Sequence, residues 1–130
     1  MIFVQRGLAP EVGASRLLPR MIGFAPALEM ALTGRMVGAR EGPGTEAGPS
    51  RGSRRPTGDV GQALAREIAT KCTPLGVAEA KRSFCRHQTM DLAAALIENE
   101  ATSRKMNKSE DFKEALKAFA EKRAPRFTGR

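Results

Sequence analysis

The sequence predicts a mainly α-helical fold that is divided by a flexible loop. Apolar residues recur three to four positions apart in residues 1–40 and again in residues 62–130, which is the spacing of amphipathic helices. Residues 41–61 differ, because six Gly and three Pro fall within them and Val60 is their only aliphatic side chain larger than Ala. That composition cannot bury enough apolar surface to offset the entropy lost on ordering, so it predicts a flexible loop.

The first piece of the chain predicts two short helices. Residues 1–4 suit the tail of a β-strand, and a helical pattern then covers residues 14–22. Pro19 predicts a kink in that pattern, because proline cannot donate the helical hydrogen bond. A second helix is predicted over residues 24–32. It should close at Thr33-Gly34, since glycine readily adopts the left-handed conformation that ends helices.

The last piece predicts four helices. The first covers residues 62–71, and Pro74 opens the second, because proline is favoured in a first helical turn. The third covers residues 91–106, and the fourth follows Ser109, whose hydroxyl is a good N-cap. The residues expected to face the core are Leu64, Ile68, Val77, Ala80, Lys81, Phe84, Leu92, Ala95, Leu96, Asn99, Phe112, Ala115, Leu116, Phe119 and Ala120.

The formal net charge of +8 favours an anionic partner, such as nucleic acid, acidic lipid or a phosphorylated cofactor. Arg51, Arg54 and Arg55 form a small basic cluster within the loop. No aromatic residues are interleaved with them, so we interpret the cluster as solvated charge rather than a nucleic-acid site. No apolar run approaches the length that spans a membrane.

Two cysteines and one histidine restrict the metal and redox chemistry. Cys72 and Cys85 are far from a CxxC spacing, and with His87 they cannot complete a four-ligand metal site. We interpret them as reduced, partly buried thiols of a cytoplasmic protein, and we expect no metal and no bound cofactor. His87 is expected at the surface, since no Ser or Cys adjoins it at the spacing of a nucleophile.

Five segments together resemble the C-terminal half of the crotonase superfamily, the enoyl-CoA hydratase/isomerase group. In the order of that family they are GLAPEVGASRLLPRMIG (7–23), ALEMALTGR (27–35), ALAREIA (63–69), AKRSF (80–84) and SEDFKEALKAFAEKRAPRFTGR (109–130). The resemblance implies a core of repeated β-β-α units, with C-terminal helices that cover the active site and pack into a trimer. It also implies binding of acyl-CoA and stabilisation of a thioester enolate by two backbone N–H groups, the oxyanion hole.

The resemblance leaves out part of that design. The residues before Gly7 contain no counterpart of either oxyanion-hole segment and little that resembles the β core. We therefore expect the helical C-terminal part alone, with the N-terminal β core absent. One oxyanion-hole donor is worth ~10²–10³ in rate. We therefore expect weak catalysis from this chain unless another polypeptide supplies the missing half.

Glu11 is the candidate catalytic residue that the resemblance supplies. APEVGAS (9–15) is similar to the turn in which Δ3,Δ2-enoyl-CoA isomerases carry one Glu that moves a proton between C2 and C4, with Val12 where that branch often has Gly. Hydratases need two Glu, and the second would fall at Phe3, so hydratase chemistry is not supported. The competing interpretation of Glu11 is a turn residue, because Pro-Glu is common in turns.

Lys122 is the candidate residue for binding the coenzyme A moiety. It lies in AEKRAPRF (120–127), where the resemblance implies contact between the last helix and CoA phosphates, sometimes those on a neighbouring subunit. The competing interpretation is a solvated cation that the helix dipole favours. Phe119 and Phe127 are expected in the core or an interface rather than stacked on adenine.

The loop at residues 41–61 stands where the family usually has a small helix, a Gly-Leu-Val type of strand and a further helix. Its length is close to the expected one, although its composition is unrelated. Two compensating reading-frame shifts in a GC-rich gene would produce that combination. A genuine linker is the alternative, although long structureless loops are uncommon in compact domains.

Three functional interpretations stay open at this point. The first is a truncated acyl-CoA-binding protein of the enoyl-CoA hydratase/isomerase family, isomerase-like if active, in fatty acid metabolism. The second is a non-catalytic interaction or decayed fragment that keeps the oligomerisation helices. The third is a small basic nucleic-acid binder. Helix faces that suit packing on a β core would be exposed here, and exposed apolar faces promote association. We therefore expect either a homo-oligomer of the trimer type or a complex with a polypeptide that supplies the upstream half.

Overall fold

The computed structural model describes residues 1–38 and 57–130, and this part of the chain is helical. It begins with a short 3-10 helix, Phe3–Arg6. The α-helices that follow are α1 (Ala14–Ile22), α2 (Phe24–Thr33), α3 (Thr57–Lys71), α4 (Pro74–Arg86), α5 (Leu92–Met106) and α6 (Glu110–Ala120). No strand occurs among the described residues, and the mainly α fold class is confirmed.

Helices α2 and α4 form the centre of the described part: α4 packs against α1, α2, α5 and the 3-10 helix, and α2 packs against α1, α3, α4 and the 3-10 helix. The largest fully buried side chain is Phe84 of α4, which packs against Ala27 and Ala31 of α2. A second buried cluster joins Val4, Cys72 and Ala80. Full burial of a side chain such as Phe84 stabilises the fold by roughly 1.5–3 kcal/mol. The first cluster therefore holds α2 against α4, and the second holds the 3-10 helix and the end of α3 against α4.

The predicted strand at residues 1–4 is wrong, because the chain enters the 3-10 helix at Phe3. The carbonyl of Val4 accepts a hydrogen bond from the backbone N–H of Thr73, at 2.8 Å, directly before α4. Val4 is fully buried in the cluster with Cys72. The segment therefore joins the helices of the last piece instead of pairing with another strand.

The two helices predicted for the first piece are confirmed, but the break between them does not lie at Pro19. Helix α1 continues through Pro19 and ends at Ile22, because the φ of 87° and ψ of 157° at the following Gly23 leave the helical region. Proline leaves the carbonyl of Ser15 without its helical donor. The side-chain amide of Gln88 donates to that carbonyl at 3.4 Å, which compensates for the missing hydrogen bond.

The four helices of the last piece are also confirmed, and α3 begins earlier than predicted. Its first residue is Thr57 rather than Gln62, so the end of the predicted loop at residues 41–61 is helical. Asp59 in the first turn favours that start, because a carboxylate stabilises a helix N-terminus. The rest of that loop, residues 41–56 with its arginine cluster, lies outside the described residues.

The buried face of α6 differs from the predicted one. Ala115 is buried as expected, but Leu116 and Phe119 are 56% and 66% exposed. Asp111 and Ala118 are buried in their place. Helix α6 is turned so that the Asp111 carboxylate accepts hydrogen bonds from the backbone N–H groups of Thr128 and Gly129 near the end of the chain.

The buried face of α5 is partly the predicted one. Ala95 and Asn99 are buried, as expected, whereas Leu92 and Leu96 are 42% and 40% exposed. Each helix of the described residues is too short or too polar to cross a lipid bilayer.

Candidate active site

The turn that carries Glu11 leads directly into α1. The Glu11 carbonyl accepts a hydrogen bond from the N–H of Ala14 at 3.1 Å. The two residues between them both have positive φ, 55° at Val12 and 74° at Gly13. Glycine adopts this left-handed conformation readily, whereas a β-branched side chain such as valine rarely does. The backbone at residue 12 therefore has the geometry of the glycine that related turns often carry.

Helix α5 holds this turn at two points. The side-chain oxygen of Asn99 accepts a hydrogen bond from the backbone N–H of Gly13 at 3.0 Å. One helical turn later, the hydroxyl of Ser103 donates to Oε2 of Glu11 at 2.6 Å. Asn99 and Ser103 lie four residues apart and so share one face of α5.

Glu11 is half-buried and lines a cavity of about 310 Å³. The other lining residues are Val12, Leu96, Asn99, Glu100 and Ser103. Among the described residues, Ser103 is the hydrogen-bond partner recorded for the Glu11 carboxylate, and it engages only Oε2. The second oxygen, Oε1, accepts no hydrogen bond from the described residues, and the cavity beside the carboxylate has both apolar and polar walls.

His87 lies behind the Glu11 turn and is fully buried, so its predicted place at the surface is wrong. Its Nδ1 is 2.7 Å from the hydroxyl of Ser15, which itself accepts from the side-chain N–H of Asn99 at 3.5 Å. The arrangement in which Ser15 donates to Nδ1 puts the ring proton on Nε2. That nitrogen lies 3.7 Å from a carboxylate oxygen of Glu98.

Burial lowers the pKa of His87 below its ordinary value of 6.5. Glu98 opposes this shift by favouring the charged ring, while Arg86 and Arg82 add to it. The Ser15, His87 and Glu98 side chains have the chemical types of a nucleophilic triad. However, Ser15 is fully buried, so it cannot meet a substrate, and the chain of hydrogen bonds has a structural role.

Lys122 lies apart from the Glu11 cavity, since it is not one of the residues that line it. It is exposed and has a φ of 53°, directly after the end of α6. The N–H groups of Lys122 and Arg123 bond to the carbonyls of Phe119 and Ala118, which is the Schellman arrangement that closes helices. The two predicted site residues, Glu11 and Lys122, are thus not brought together in one cavity.

The residues around Lys122 are fixed by an ion-pair cluster. Arg123 makes a bidentate contact with Glu114, at 2.5 and 3.0 Å, and its Nε donates to Glu121 at 2.6 Å. The Arg123 guanidinium lowers the pKa of Glu114 to about 2. A cavity of about 610 Å³ adjoins this cluster, with Glu110, Asp111, Lys113, Glu114, Lys117, Glu121, Arg123, Arg126 and Thr128 at its walls.

Two other groups of predicted residues have mixed outcomes. Phe119 is not in the core, and the guanidinium of Arg6 lies 4.7 Å from the centre of its ring.

Cys72 is buried, which raises the pKa of its thiol to about 11, and it donates to the carbonyl of Thr33. Cys85 is exposed rather than partly buried, and neither cysteine forms a disulfide.

Sequence reasoning missed Ser103 as a partner of Glu11 and assigned Asn99 only to an apolar stripe. The signal that could have identified them is their spacing. Two polar side chains four residues apart, on the face of α5 that also carries Ala95, predict hydrogen-bond partners, because a buried polar group seldom stays unpaired. What the sequence could not supply is the identity of those partners, which lie far away along the chain.

The family model for enoyl-CoA hydratase/isomerase matches residues 1–130. The 1,2-epoxyphenylacetyl-CoA isomerase of Escherichia coli is 32% identical over the whole chain, and the alignment covers 49% of that protein. Human enoyl-CoA hydratase domain-containing protein 2, a mitochondrial protein, is 30% identical over the whole chain, with 46% of its own length covered. The chain therefore spans about half the length of these relatives.

A solved structure from Mycobacterium abscessus, assigned to the enoyl-CoA hydratase/isomerase class, superposes with a TM-score of 0.52. It is 33% identical in sequence. The match covers 99% of this chain and 53% of the other.

Proposed function

This chain belongs to the enoyl-CoA hydratase/isomerase family, and we propose that it binds acyl-CoA and uses Glu11 to move a proton along the acyl chain. The observation that carries the proposal is the half-buried Glu11 carboxylate, held at Oε2 by Ser103 and facing a cavity of about 310 Å³. Its second oxygen is the free group at which a proton can be exchanged.

The proposed reaction is an isomerisation of a β,γ-unsaturated acyl thioester to the α,β-unsaturated one. Glu11 takes a proton from C2, and the electron pair of that C–H bond enters the thioester as a dienolate. The protonated Glu11 then delivers the proton to C4, so that the double bond moves and the carboxylate is regenerated. One carboxylate suffices because the same proton is removed and returned.

The dienolate needs hydrogen-bond donors at the thioester oxygen, because stabilising the negative charge that develops on this oxygen lowers the activation free energy. We propose that these donors come from polypeptide outside residues 1–130, which span about half the length of the relatives. That polypeptide is either a continuation of the same protein or a separate chain. Activity of the present residues by themselves should then be weak.

Lys122 is proposed to contact CoA phosphates at the active site of a neighbouring copy, because it does not line the Glu11 cavity. Its exposed ammonium can act as a point charge for phosphate, and the ion-pair cluster of Arg123 fixes the backbone that carries it. A cytoplasmic location remains a prediction.

Binding is tested by calorimetric titration of the chain with a 3-enoyl-CoA thioester. We expect a measurable heat that weakens in the Lys122→Ala variant, because that change removes a phosphate contact. A matched control is Lys71→Ala, which removes an exposed lysine at the end of α3. Absence of any heat at millimolar thioester would contradict acyl-CoA binding.

Catalysis is tested by following the ultraviolet absorbance of the conjugated thioester product. The chain is assayed alone and mixed with a polypeptide that corresponds to the first half of the Escherichia coli relative. We expect double-bond migration in the mixture, and a loss of roughly 10²–10⁴-fold in the Glu11→Gln variant, the usual contribution of general acid–base catalysis. The control Glu67→Gln changes a partly exposed carboxylate on α3 and should keep the activity. Migration that survives Glu11→Gln, or that never occurs, would contradict the proposal.

A second candidate function, protein association without catalysis, is favoured by the exposed apolar surface of α6. Leu116 and Phe119 line a groove of about 410 Å³ together with Leu8 and Phe112. Exposed apolar patches of this kind promote association. Sedimentation velocity is the test. Oligomers of the wild type should dissociate in the Leu116→Lys variant, and a monomer at all concentrations would contradict this candidate.

The third interpretation, a nucleic-acid binder, is based on the net charge of +8 and on the cluster of Arg51, Arg54 and Arg55. These residues lie outside the described part of the chain. No observation in the described residues favours that function over the other two.

A further inference from the structure

We propose that Ser103 and Asn99 of α5 are positioning residues for the Glu11 carboxylate, and that His87 fixes the Asn99 side chain through Ser15. This inference rests on the proposed role of Glu11 in proton transfer. It deepens that role by naming the residues that decide which carboxylate oxygen exchanges the proton.

The Ser103 hydroxyl determines the orientation of the carboxylate. It donates to Oε2 of Glu11 at 2.6 Å, which is a short hydrogen bond to a charged acceptor. A donor on one oxygen stops free rotation of the carboxylate and leaves Oε1 as the oxygen for proton exchange. Without the hydroxyl, both oxygens would sample the cavity in several rotamers.

Asn99 determines where the turn itself lies. Its side-chain oxygen accepts the N–H of Gly13, at 3.0 Å, and Asn99 is buried. The flanking Val12 has a φ of 55°, a conformation that valine adopts only when the surroundings impose it. The hydrogen bond from Gly13 to Asn99 fixes the peptide that follows Val12, and it acts together with the bond from Ala14 to the Glu11 carbonyl that closes the turn.

A buried chain of hydrogen bonds fixes the Asn99 amide in turn. Its side-chain N–H donates to the Ser15 hydroxyl at 3.5 Å, and Ser15 lies 2.7 Å from Nδ1 of His87. Ser15, His87 and Asn99 are all buried, so solvent does not compete for these groups. An amide that donates to Ser15 must present its oxygen to Gly13. His87 and Ser15 thereby select the amide orientation that holds the turn.

Two residues on this face of α5 hold the Glu11 turn. Asn99 holds the backbone of the turn, and Ser103 holds the side chain that the turn presents. Both residues touch Glu11 or its turn rather than the reacting carbon atoms. They are therefore positioning residues and not catalytic ones.

The first test is spectroscopic and needs no substrate. Carbon-13 labelling of glutamate gives a carboxyl resonance for Glu11, identified by its loss in Glu11→Gln. We expect Ser103→Ala to move that resonance and Ser103→Thr, which keeps a hydroxyl, to restore it. Thr70→Ala, which removes an exposed hydroxyl on α3, should leave it unchanged.

The second test measures the turn by amide hydrogen exchange at Gly13. We expect Asn99→Ala to speed exchange at Gly13 by about 2- to 10-fold, as the loss of one hydrogen bond implies. If Asn99→Ala does not fold, His87→Gln tests the same chain from its other end and should speed exchange at Gly13 as well. A Glu11 resonance that does not move in Ser103→Ala, or unchanged exchange at Gly13, would overturn the inference.

The third test separates this inference from the proposed function. In the double-bond migration assay, Ser103→Ala should lower kcat about 10-fold with little change in KM, because one hydrogen bond to a charged group is lost. Ser103→Thr should recover most of the lost activity. If the wild type neither binds acyl-CoA nor catalyses migration, the proposed function fails, although the spectroscopic signature can still be present. If the wild type is active and Ser103→Ala is equally active, the positioning role fails while the function stands.

Discussion

Val12 occupies a backbone conformation that suits glycine better than valine. Its φ of 55° lies in the left-handed region, and its side chain is 79% exposed. Burial of the valine side chain therefore contributes too little free energy to offset the backbone strain. Backbone strain of this kind costs roughly 1–3 kcal/mol and tends to occur at functional sites. Here it lies beside Glu11, in the turn that α5 holds in place.

Val12→Gly should raise the free energy of unfolding by about 1 kcal/mol. Relief of the strain outweighs the extra entropy that glycine loses on folding, which is roughly 0.5–1 kcal/mol. Urea denaturation measures this change. The matched control Val12→Ala keeps a Cβ atom and should gain much less, so equal stabilisation by both variants would refute the explanation.

Helix α6 and the C-terminal residues are joined through one buried carboxylate. Asp111 is 1% exposed and accepts hydrogen bonds from the hydroxyl of Thr73 and from the N–H groups of Thr128 and Gly129. It also donates its own N–H to the carbonyl of Arg130. This contact fixes the rotation of α6, and it explains why the larger apolar side chains of that helix face outward.

Asp111→Ala should lower the free energy of unfolding by about 2–4 kcal/mol, because the buried donors that it satisfies lose their acceptor. Hydrogen exchange at Thr128 and Gly129 should become faster in the same variant. The control Glu110→Gln changes an exposed carboxylate in the same helical turn and should alter stability by less than about 0.5 kcal/mol. Equal losses in both variants would show that Asp111 has no special role.

At the scale of the whole molecule, the buried His87 makes folding stability depend on pH. Burial lowers its pKa in the folded state, opposed by Glu98 and aided by Arg86 and Arg82. In the unfolded chain the ordinary value of about 6.5 applies. Between these two values the unfolded state binds the proton and the folded state does not, so stability decreases as the pH falls.

The contribution of His87 to the free energy of unfolding should therefore be nearly constant above about pH 7 and should fall below about pH 6.5, by at most about 1.4 kcal/mol per pH unit. Burial also lowers the pKa of the Met1 amine from its ordinary value of 8.0, which adds a decrease that begins at higher pH and that His87 variants retain. Urea denaturation between pH 7.5 and about pH 5 measures this window, which lies above the titration of most carboxylates. Glu114 affects stability in a separate pH range. Because its pKa is lowered from 4.5 to about 2 in the folded state, its contribution to the free energy of unfolding is lost only as the pH falls below about 4.5. His87→Gln should flatten the slope between about pH 6.5 and 5, and an unchanged slope would rule out His87 as its cause.

Local patterns were enough to predict the helices and the family. The bounds of α1, α2 and α4 follow from apolar spacing, from Pro74 at a helix start and from Gly34 at a helix end, which are all local effects. Glu11 was identified as a candidate because its turn has a distinctive sequence. These features depend on residues that are close together along the chain.

Contacts between distant parts of the chain decided the remainder. The hydroxyl that binds Glu11 is 92 residues away, and the histidine that binds Ser15 is 72 residues away. Which face of α6 is buried was decided in the same way, since the C-terminal backbone supplies donors to Asp111. The sequence by itself determined the helices and the candidate acid, because helix formation and turn chemistry are local. Only the tertiary structure decided what surrounds that acid, because hydrogen-bond partners and burial depend on how the helices pack.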